Sequence, residues 1–136
     1  MSKSLTLVLS TGTYLNEAPT SVLRLAEKAV TKGYDVNVWA FEEAVTLSNK
    51  DQIEHREPAA VEKVIGETHP TYANALEPLL KKGVHTPKFD WVSCVLCVQE
   101  RGVEKHQMQG VTIGTLGDVW KYVKESDRAV FVPAYR

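Results

Sequence analysis

Cysteine is scarce in this sequence, which contains only Cys94 and Cys97 among its 136 residues. Two cysteines three positions apart cannot build the network of disulfides that stabilises small secreted domains. Long apolar runs are also missing, and the longest falls far short of the roughly 20 residues that a membrane-spanning helix needs. The first residues show no cleavage site of an export signal. These absences predict a cytoplasmic protein with reduced thiols and no membrane segment.

Blocks of basic charge and nucleotide-binding motifs are missing too. Lys and Arg number 16 against 17 Asp and Glu, and they are scattered along the chain. Because nucleic-acid binding usually requires a basic patch, we do not expect nucleic acid as a partner. Neither GxxxxGK[ST] nor GxGxxG occurs, which argues against a phosphate-binding loop. Cys94, Cys97 and His106 would supply only three of about four ligands of a structural zinc site. We therefore expect neither a metal nor another cofactor.

What is present is a pattern of short apolar runs that alternate with helical periodicity. A chain of this length fits one domain, spanning residues 1–136. Strands are predicted at residues 5–9, 35–40, 89–93 and 128–133, with a short additional strand at 111–113. Strands separated by helices indicate right-handed crossovers. The pattern therefore predicts an α/β fold with an open, mostly parallel five-stranded sheet and helices on both faces.

Three segments carry apolar residues at helical spacing. The predicted faces are Ala18, Val22, Leu25, Ala26 and Ala29; Tyr72, Ala75, Leu76, Leu79 and Leu80; and Leu116, Val119, Trp120 and Val123. Lys32 and Gly33 should end the first helix. Pro78 predicts a kink in the second helix or its division in two. Residues 41–57 are predicted to form a loop or lid, followed by a short helix at 59–65.

The two cysteines follow a predicted strand, and this position suggests chemistry. Ligands of open α/β sheets gather at the carboxyl ends of strands, where residues 11–16, residues 41 onward and Cys94 should converge. A helix start favours the thiolate form of Cys94, although a free cysteine there is also commonly a small core residue. Cys97 could resolve a disulfide, accept sulfur as a second thiol, or point into the core.

Other side chains are candidates for binding a substrate. Arg101 could stabilise an anionic sulfur compound. Tyr14 could join an apolar wall or a subunit contact near the strand ends. His55, in the predicted lid, could lower the pKa of a nearby thiol when it is cationic. For each of them, an ordinary surface or packing role is the alternative.

Several segments in order give the chain a family resemblance. They are EAP at 17–19, RLAEKAVTKGYDVNVWAF at 24–41, CVLCVQERGV at 94–103 and GVTIGTLGDVWKYVKESDRAVFV at 110–132. Their order resembles the DsrE/DsrF-like family of sulfur-relay proteins. In the TusD-like pattern of that family, the active cysteine lies seven residues before the arginine of an Arg-Gly pair. Counting back from Arg101 gives Cys94, and Cys97 departs from the simplest pattern.

The resemblance implies a flavodoxin-like fold assembled as a homotrimer or hexamer. It also implies that Cys94 carries a persulfide, which it exchanges with a sulfur-carrier protein of the TusA-like or rhodanese-like kind, without a cofactor. Two alternatives stay open on the residues themselves. One is a dithiol–disulfide redox protein that uses Cys94 and Cys97, and the other is a non-catalytic oligomeric binding module.

Overall fold

One sheet of five parallel strands organises the part of the chain that the structure describes. The structure is a computed structural model, and it describes residues 3–12, 17–53, 71–82 and 87–133. The strands are β1 (Ser4–Leu9), β2 (Asp35–Ala40), β3 (Phe89–Cys94), β4 (Thr112–Gly114) and β5 (Arg128–Val132). They lie in the order β4-β3-β2-β1-β5, and every neighbouring pair is parallel. The predicted α/β sheet is confirmed.

Helices cover both faces of this sheet. They are α1 (Ala18–Thr31), α2 (Tyr72–Lys82), α3 (Val95–Glu100) and α4 (Leu116–Glu125). Side chains of a strand alternate between faces, so Val38 of β2 joins a larger core with α1 and α2, whereas Trp39 joins a smaller core on the other side. The smaller core includes Cys94 of β3 and Val98 of α3, and α4 packs against it through Val119.

The end of α1 follows the prediction closely. Gly33 has a φ of 91°, a left-handed conformation that a side chain would disfavour. Its N–H donates to the carbonyl of Val30 at 3.0 Å, and the N–H of Tyr34 donates to the carbonyl of Ala29 at 2.9 Å. This pair of hydrogen bonds is a Schellman motif, which satisfies the last carbonyls of the helix and turns the chain into β2.

The structure confirms the helices α1 and α2, but one residue of each predicted buried face is wrong. Leu25 of α1 is 47% exposed, and Leu23 is buried instead. Ala75 of α2 is exposed, and Ala73 is buried instead. Periodicity identifies an apolar stripe, but tertiary packing decides which edge of the stripe is covered. Pro78 lies inside one continuous helix, so the prediction of two helices is wrong. A proline removes only one backbone donor, and the buried face of α2 compensates for that loss.

The segment after β2 is more regular than a loop. A short 3-10 helix spans Glu42–Thr46, and Val45 and Leu47 are completely or almost completely buried. The rest of the predicted lid beyond Ile53, and the helix predicted at 59–65, lie outside the described residues.

Most of the predicted apolar face of α4 is not covered by the described residues, and only Val119 of that face packs against the smaller core. The helix begins with a capping box in which Thr115 and Asp118 bond to each other's backbone N–H groups. Leu116, Trp120 and Val123 are exposed. Within the described ranges, no helix has both the length and the apolar character needed to cross a bilayer.

Candidate functional site

Cys94 is the last residue of β3 and lies at the carboxyl edge of the sheet. Its backbone has extended angles, with φ −62° and ψ 126°, and it immediately precedes α3 as the N-cap residue. The side chain is only 6% exposed and packs in the smaller core with Trp39, Val92 and Val98. The predicted strand-to-helix turn is therefore confirmed, although α3 has only six residues. Because so short a helix has a weak dipole, thiolate stabilisation at Cys94 cannot rest on that dipole alone.

Cys97 lies one turn further along α3 and is more accessible than Cys94. It is half-buried, and both cysteines are free thiols. Its Sγ accepts a hydrogen bond from the backbone N–H of Glu42 at 3.1 Å. Glu42 has a φ of 51°, which is uncommon for a residue with a side chain and costs conformational energy. The turn after β2 thus holds a strained residue whose N–H points at a sulfur atom.

The surroundings of Cys97 have opposing effects on the pKa of its thiol. Burial raises the pKa of the Cys97 thiol and is the largest effect, and the neighbouring Cys94 thiol raises this pKa further through a hydrogen bond and its charge. The Glu42 N–H and the charge of Arg101 lower the pKa, but the net direction is upward. The thiol of Cys97 is therefore mainly protonated at neutral pH.

A buried polar network fixes the end of β3 just before Cys94. The Ser93 hydroxyl donates to Oε1 of Gln107 at 2.9 Å, and Nε2 of Gln107 donates to the Val45 carbonyl at 3.0 Å. Ser48 also donates to Oε1 of Gln107. The network joins β3, the 3-10 helix after β2 and the segment before β4. It therefore holds in place the segments around both cysteines.

The segments predicted to converge at this edge do so where they are described. Gly12, after β1, lies close to the segment after β2, since a Cβ there would be 3.5 Å from the Glu43 carbonyl oxygen. The segment after β2 in turn meets α3 through the bond between Glu42 and Cys97. The reactive groups of the candidate site are therefore two neighbouring thiols at the carboxyl ends of the strands.

Comparison with known proteins identifies the family. The sequence profile of the DsrE/DsrF-like family matches residues 3–132. The chain belongs to the DsrE/DsrF-like family. Membership of this family indicates a role in sulfur relay. The resemblance seen in the order of the sequence segments is thereby confirmed.

Relatives of this DsrE/DsrF-like protein share most of its length. An uncharacterized protein of Methanopyrus kandleri is 30% identical over 128 residues, covering 93% of this chain and 92% of the relative. An uncharacterized protein of Methanocaldococcus jannaschii is 27% identical over 126 residues, covering 92% of this chain and 96% of the relative.

Solved structures show the same fold. The YchN protein of E. coli superposes with a TM-score of 0.75 at 21% identity, covering 97% of this chain and all of that one. A protein of unknown function from Methanobacterium thermoautotrophicum, MTH1491, superposes with a TM-score of 0.69 at 10% identity, covering 96% of this chain and 99% of that one. At these identities the likeness concerns the fold alone.

The structure places the other predicted site residues unevenly. Arg101 follows α3 as its C-cap residue, and its Nη1 donates to the Cys97 carbonyl at 3.5 Å, so its charge acts on the thiol of Cys97. Tyr14 and His55 lie outside the described residues. His106, weighed as a third zinc ligand, pairs with Asp51 through its Nδ1 at 2.7 Å. In the described part of this DsrE/DsrF-like chain, no three His, Cys, Asp or Glu residues form a cluster that could hold a metal ion.

Sequence reasoning missed two features of the site. The bond between Glu42 and Cys97 joins residues 55 positions apart, and the Gln107 network joins residues up to 62 positions apart. No local pattern encodes either contact. A half-buried glutamine or a glutamate with positive φ has no signature in a single sequence.

Proposed function

We propose that this DsrE/DsrF-like protein is a sulfur carrier that holds sulfane sulfur on Cys94 and passes it to a thiol of a partner protein. The observation that supports this most strongly is the position of Cys94. It ends an interior strand at the edge where the segments after β1 and β2 also lie, and a second thiol follows one helical turn later. The spacing between Cys94 and the Arg101-Gly102 pair agrees with this role.

The proposed chemistry needs no change of oxidation state overall. The Cys94 thiolate attacks the outer sulfur of a donor persulfide, R–S–SH, and the S–S bond of the donor breaks. The donor leaves as R–S⁻ with the electron pair, and Cys94 becomes Cys94–S–SH. A partner thiolate then attacks the outer sulfur and releases the Cys94 thiolate. Thiol exchange of this kind depends on the thiolate form and on access to the attacked sulfur.

We propose a sulfur-carrier protein of the TusA-like or rhodanese-like kind as donor or acceptor. We also propose that this protein works as a homotrimer or hexamer. Exposed apolar side chains support the assembly, because several large ones on α4 and β5 are not covered within the part of the chain that the structure describes. Neither proposal requires a metal or an organic cofactor.

End-point mass measurement tests the proposed function. Reduced wild-type protein, Cys94→Ser and Cys97→Ser are incubated with inorganic polysulfide until no further change occurs, then treated briefly with glutathione to remove sulfur from accessible thiols, and intact masses are taken. The expected result is a retained gain of about 32 Da per sulfur atom in wild type and Cys97→Ser, and none in Cys94→Ser. Retention of the adduct in Cys94→Ser would contradict the assignment of the carrier thiol.

Disulfide exchange is the second candidate function, because the two thiols are adjacent and one turn apart. If it operates, an oxidant removes two hydrogens from the wild-type protein and leaves no sulfur adduct. The same measurement therefore separates the two functions. A protein that shows neither change would be a binding module whose cysteines only pack.

A further inference from the structure

The two cysteines differ in how accessible their sulfur atoms are. The role inferred from this difference rests on the proposed sulfur-carrying function. Cys94 is 6% exposed and surrounded by Trp39, Val92 and Val98. Cys97 is half-buried and lies beside the turn after β2. A donor as large as a protein or a peptide would therefore meet Cys97 before Cys94.

We infer that sulfur enters and leaves this protein through Cys97 and is stored on Cys94. In the loading direction, Cys97 first takes the outer sulfur from a donor persulfide. The Cys94 sulfur then attacks the outer sulfur of Cys97–S–SH, and the S–S bond at Cys97 breaks. The products are Cys94–S–SH and the Cys97 thiol, so the step is neutral in electrons and runs backwards for delivery.

Burial raises the pKa of Cys97, but two of its contacts favour its departure as a thiolate. When the S–S bond breaks, Cys97 takes the electron pair, and the Glu42 N–H at 3.1 Å from its Sγ donates to the negative charge. Arg101 adds a favourable charge nearby. Cys97 lies one helical turn after Cys94, and the released Cys97 thiolate can take up the proton that Cys94 gives up. The left-handed backbone of Glu42 fixes the direction of its N–H.

The surroundings of Cys94 suit storage. Its apolar neighbours keep external thiols away from the sulfur, and access to the attacked sulfur limits the rate of thiol exchange. A persulfide on Cys94 would therefore survive longer than one on Cys97. An accessible thiol that exchanges sulfur and a buried thiol that stores it explain why the sequence has a second cysteine one turn after the first.

The test measures rates rather than end points, with glutathione persulfide as the donor. Loading is quenched at increasing times, and each cysteine is mapped by peptide mass analysis. In wild type, the adduct should occur first on Cys97 and then on Cys94. In Cys97→Ser, the rate of loading Cys94 should fall at least about tenfold, because the donor must reach a buried sulfur. In Cys94→Ser, Cys97 should load but lose its sulfur rapidly to added glutathione.

Leu96→Ala is the matched control, since Leu96 is an exposed residue of the same short helix and carries no thiol. It should load at the wild-type rate. The inference is overturned, with the proposed function intact, if Cys97→Ser loads Cys94 as fast as wild type. It is also overturned if the Cys97 adduct turns into a Cys94–Cys97 disulfide with release of sulfide. Absence of any adduct in all variants would refute the proposed function itself. The wild-type time course decides the order of loading even if a variant does not fold.

Discussion

At the scale of single residues, the site shows how position gives two identical side chains different properties. Cys94 has extended backbone angles and places its sulfur in the smaller core, whereas Cys97 is already in helical geometry and faces the turn after β2. The family resemblance pointed to Cys94 as the carrier thiol, whereas the sequence left several environments open for Cys97. That environment comes from Glu42, which is distant in sequence, and from Arg101, which is one helical turn away.

Arg101 should affect the reactivity of Cys97 through its charge. Burial raises the pKa of Cys97, and Arg101 lowers it, so removal of the arginine charge should raise this pKa further. Because only the thiolate reacts, alkylation of Cys97 by iodoacetamide should speed up as the pH rises through values above the usual thiol pKa of about 8.5. In the Cys94→Ser background, Arg101→Gln should slow this reaction about two- to threefold at pH 8, a small effect because solvent screens an exposed charge.

The control for this prediction is Lys105→Gln, which removes the same charge from an exposed residue that does not act on Cys97. Its alkylation profile should match that of the Cys94→Ser parent. A profile that moves to lower pH in Arg101→Gln would contradict the electrostatic role of Arg101. Added salt should shrink the difference between the two profiles.

At the scale of secondary-structure elements, the pairing of β3 with β4 helps to hold the end of the strand that carries Cys94. Gly114 is the register partner of Cys94, the last residue of β3. A Cβ on Gly114 would lie 2.6 Å from Cγ1 of Val92 and 2.7 Å from Oδ2 of Asp118. Val92 packs in the same core as Cys94, and Asp118 completes the capping box of α4. The space beside Gly114 is therefore filled by two side chains with structural roles.

Gly114→Ala should destabilise the protein, because the added methyl group must displace Val92 or break the cap of α4. The expected loss is about 1–3 kcal/mol of the free energy of unfolding. Urea denaturation measures it. Gly117→Ala is the matched control, since its Cβ would meet only the Thr115 hydroxyl at 3.5 Å and helices favour alanine over glycine. Equal free energies of unfolding for the two variants would show that a methyl group at position 114 causes no steric clash.

Most elements could be predicted from the sequence because their signals are local. The apolar run of β2 and the glycine that ends α1 each depend on a few neighbouring residues, and both were correct. The buried sides of α1 and α2 were predicted with errors. In α1, Leu23 and Leu25 lie on adjacent parts of one apolar stripe, and the pattern does not show which of them is buried. Contacts between distant segments, such as Glu42 with Cys97, depend on the finished fold and leave no periodic trace.

At the scale of the whole molecule, the described residues leave large apolar side chains exposed on the last three elements, β4, α4 and β5. Nine large apolar side chains are exposed among the described residues, and six of them fall between residues 113 and 131. These six are Ile113, Leu116, Trp120, Val123, Val130 and Phe131. Single exposed apolar residues are ordinary, but their concentration on consecutive elements is typical of an interface. The stripe on α4 was visible in the sequence, but periodicity cannot tell a stripe that packs within the chain from one that packs against another chain.

Trp120 should therefore contribute to the proposed assembly, since it is 70% exposed and offers a large aromatic surface. Light scattering of the wild-type protein should give a mass three or six times that of one chain. Trp120→Glu places a charge where an apolar contact is expected, and it should shift the mass towards that of a single chain. Lys121→Glu adds the same carboxylate at the neighbouring exposed position and should leave the assembly intact. A wild-type mass equal to one chain would refute the assembly. An unchanged mass in Trp120→Glu would place the interface away from this side of α4.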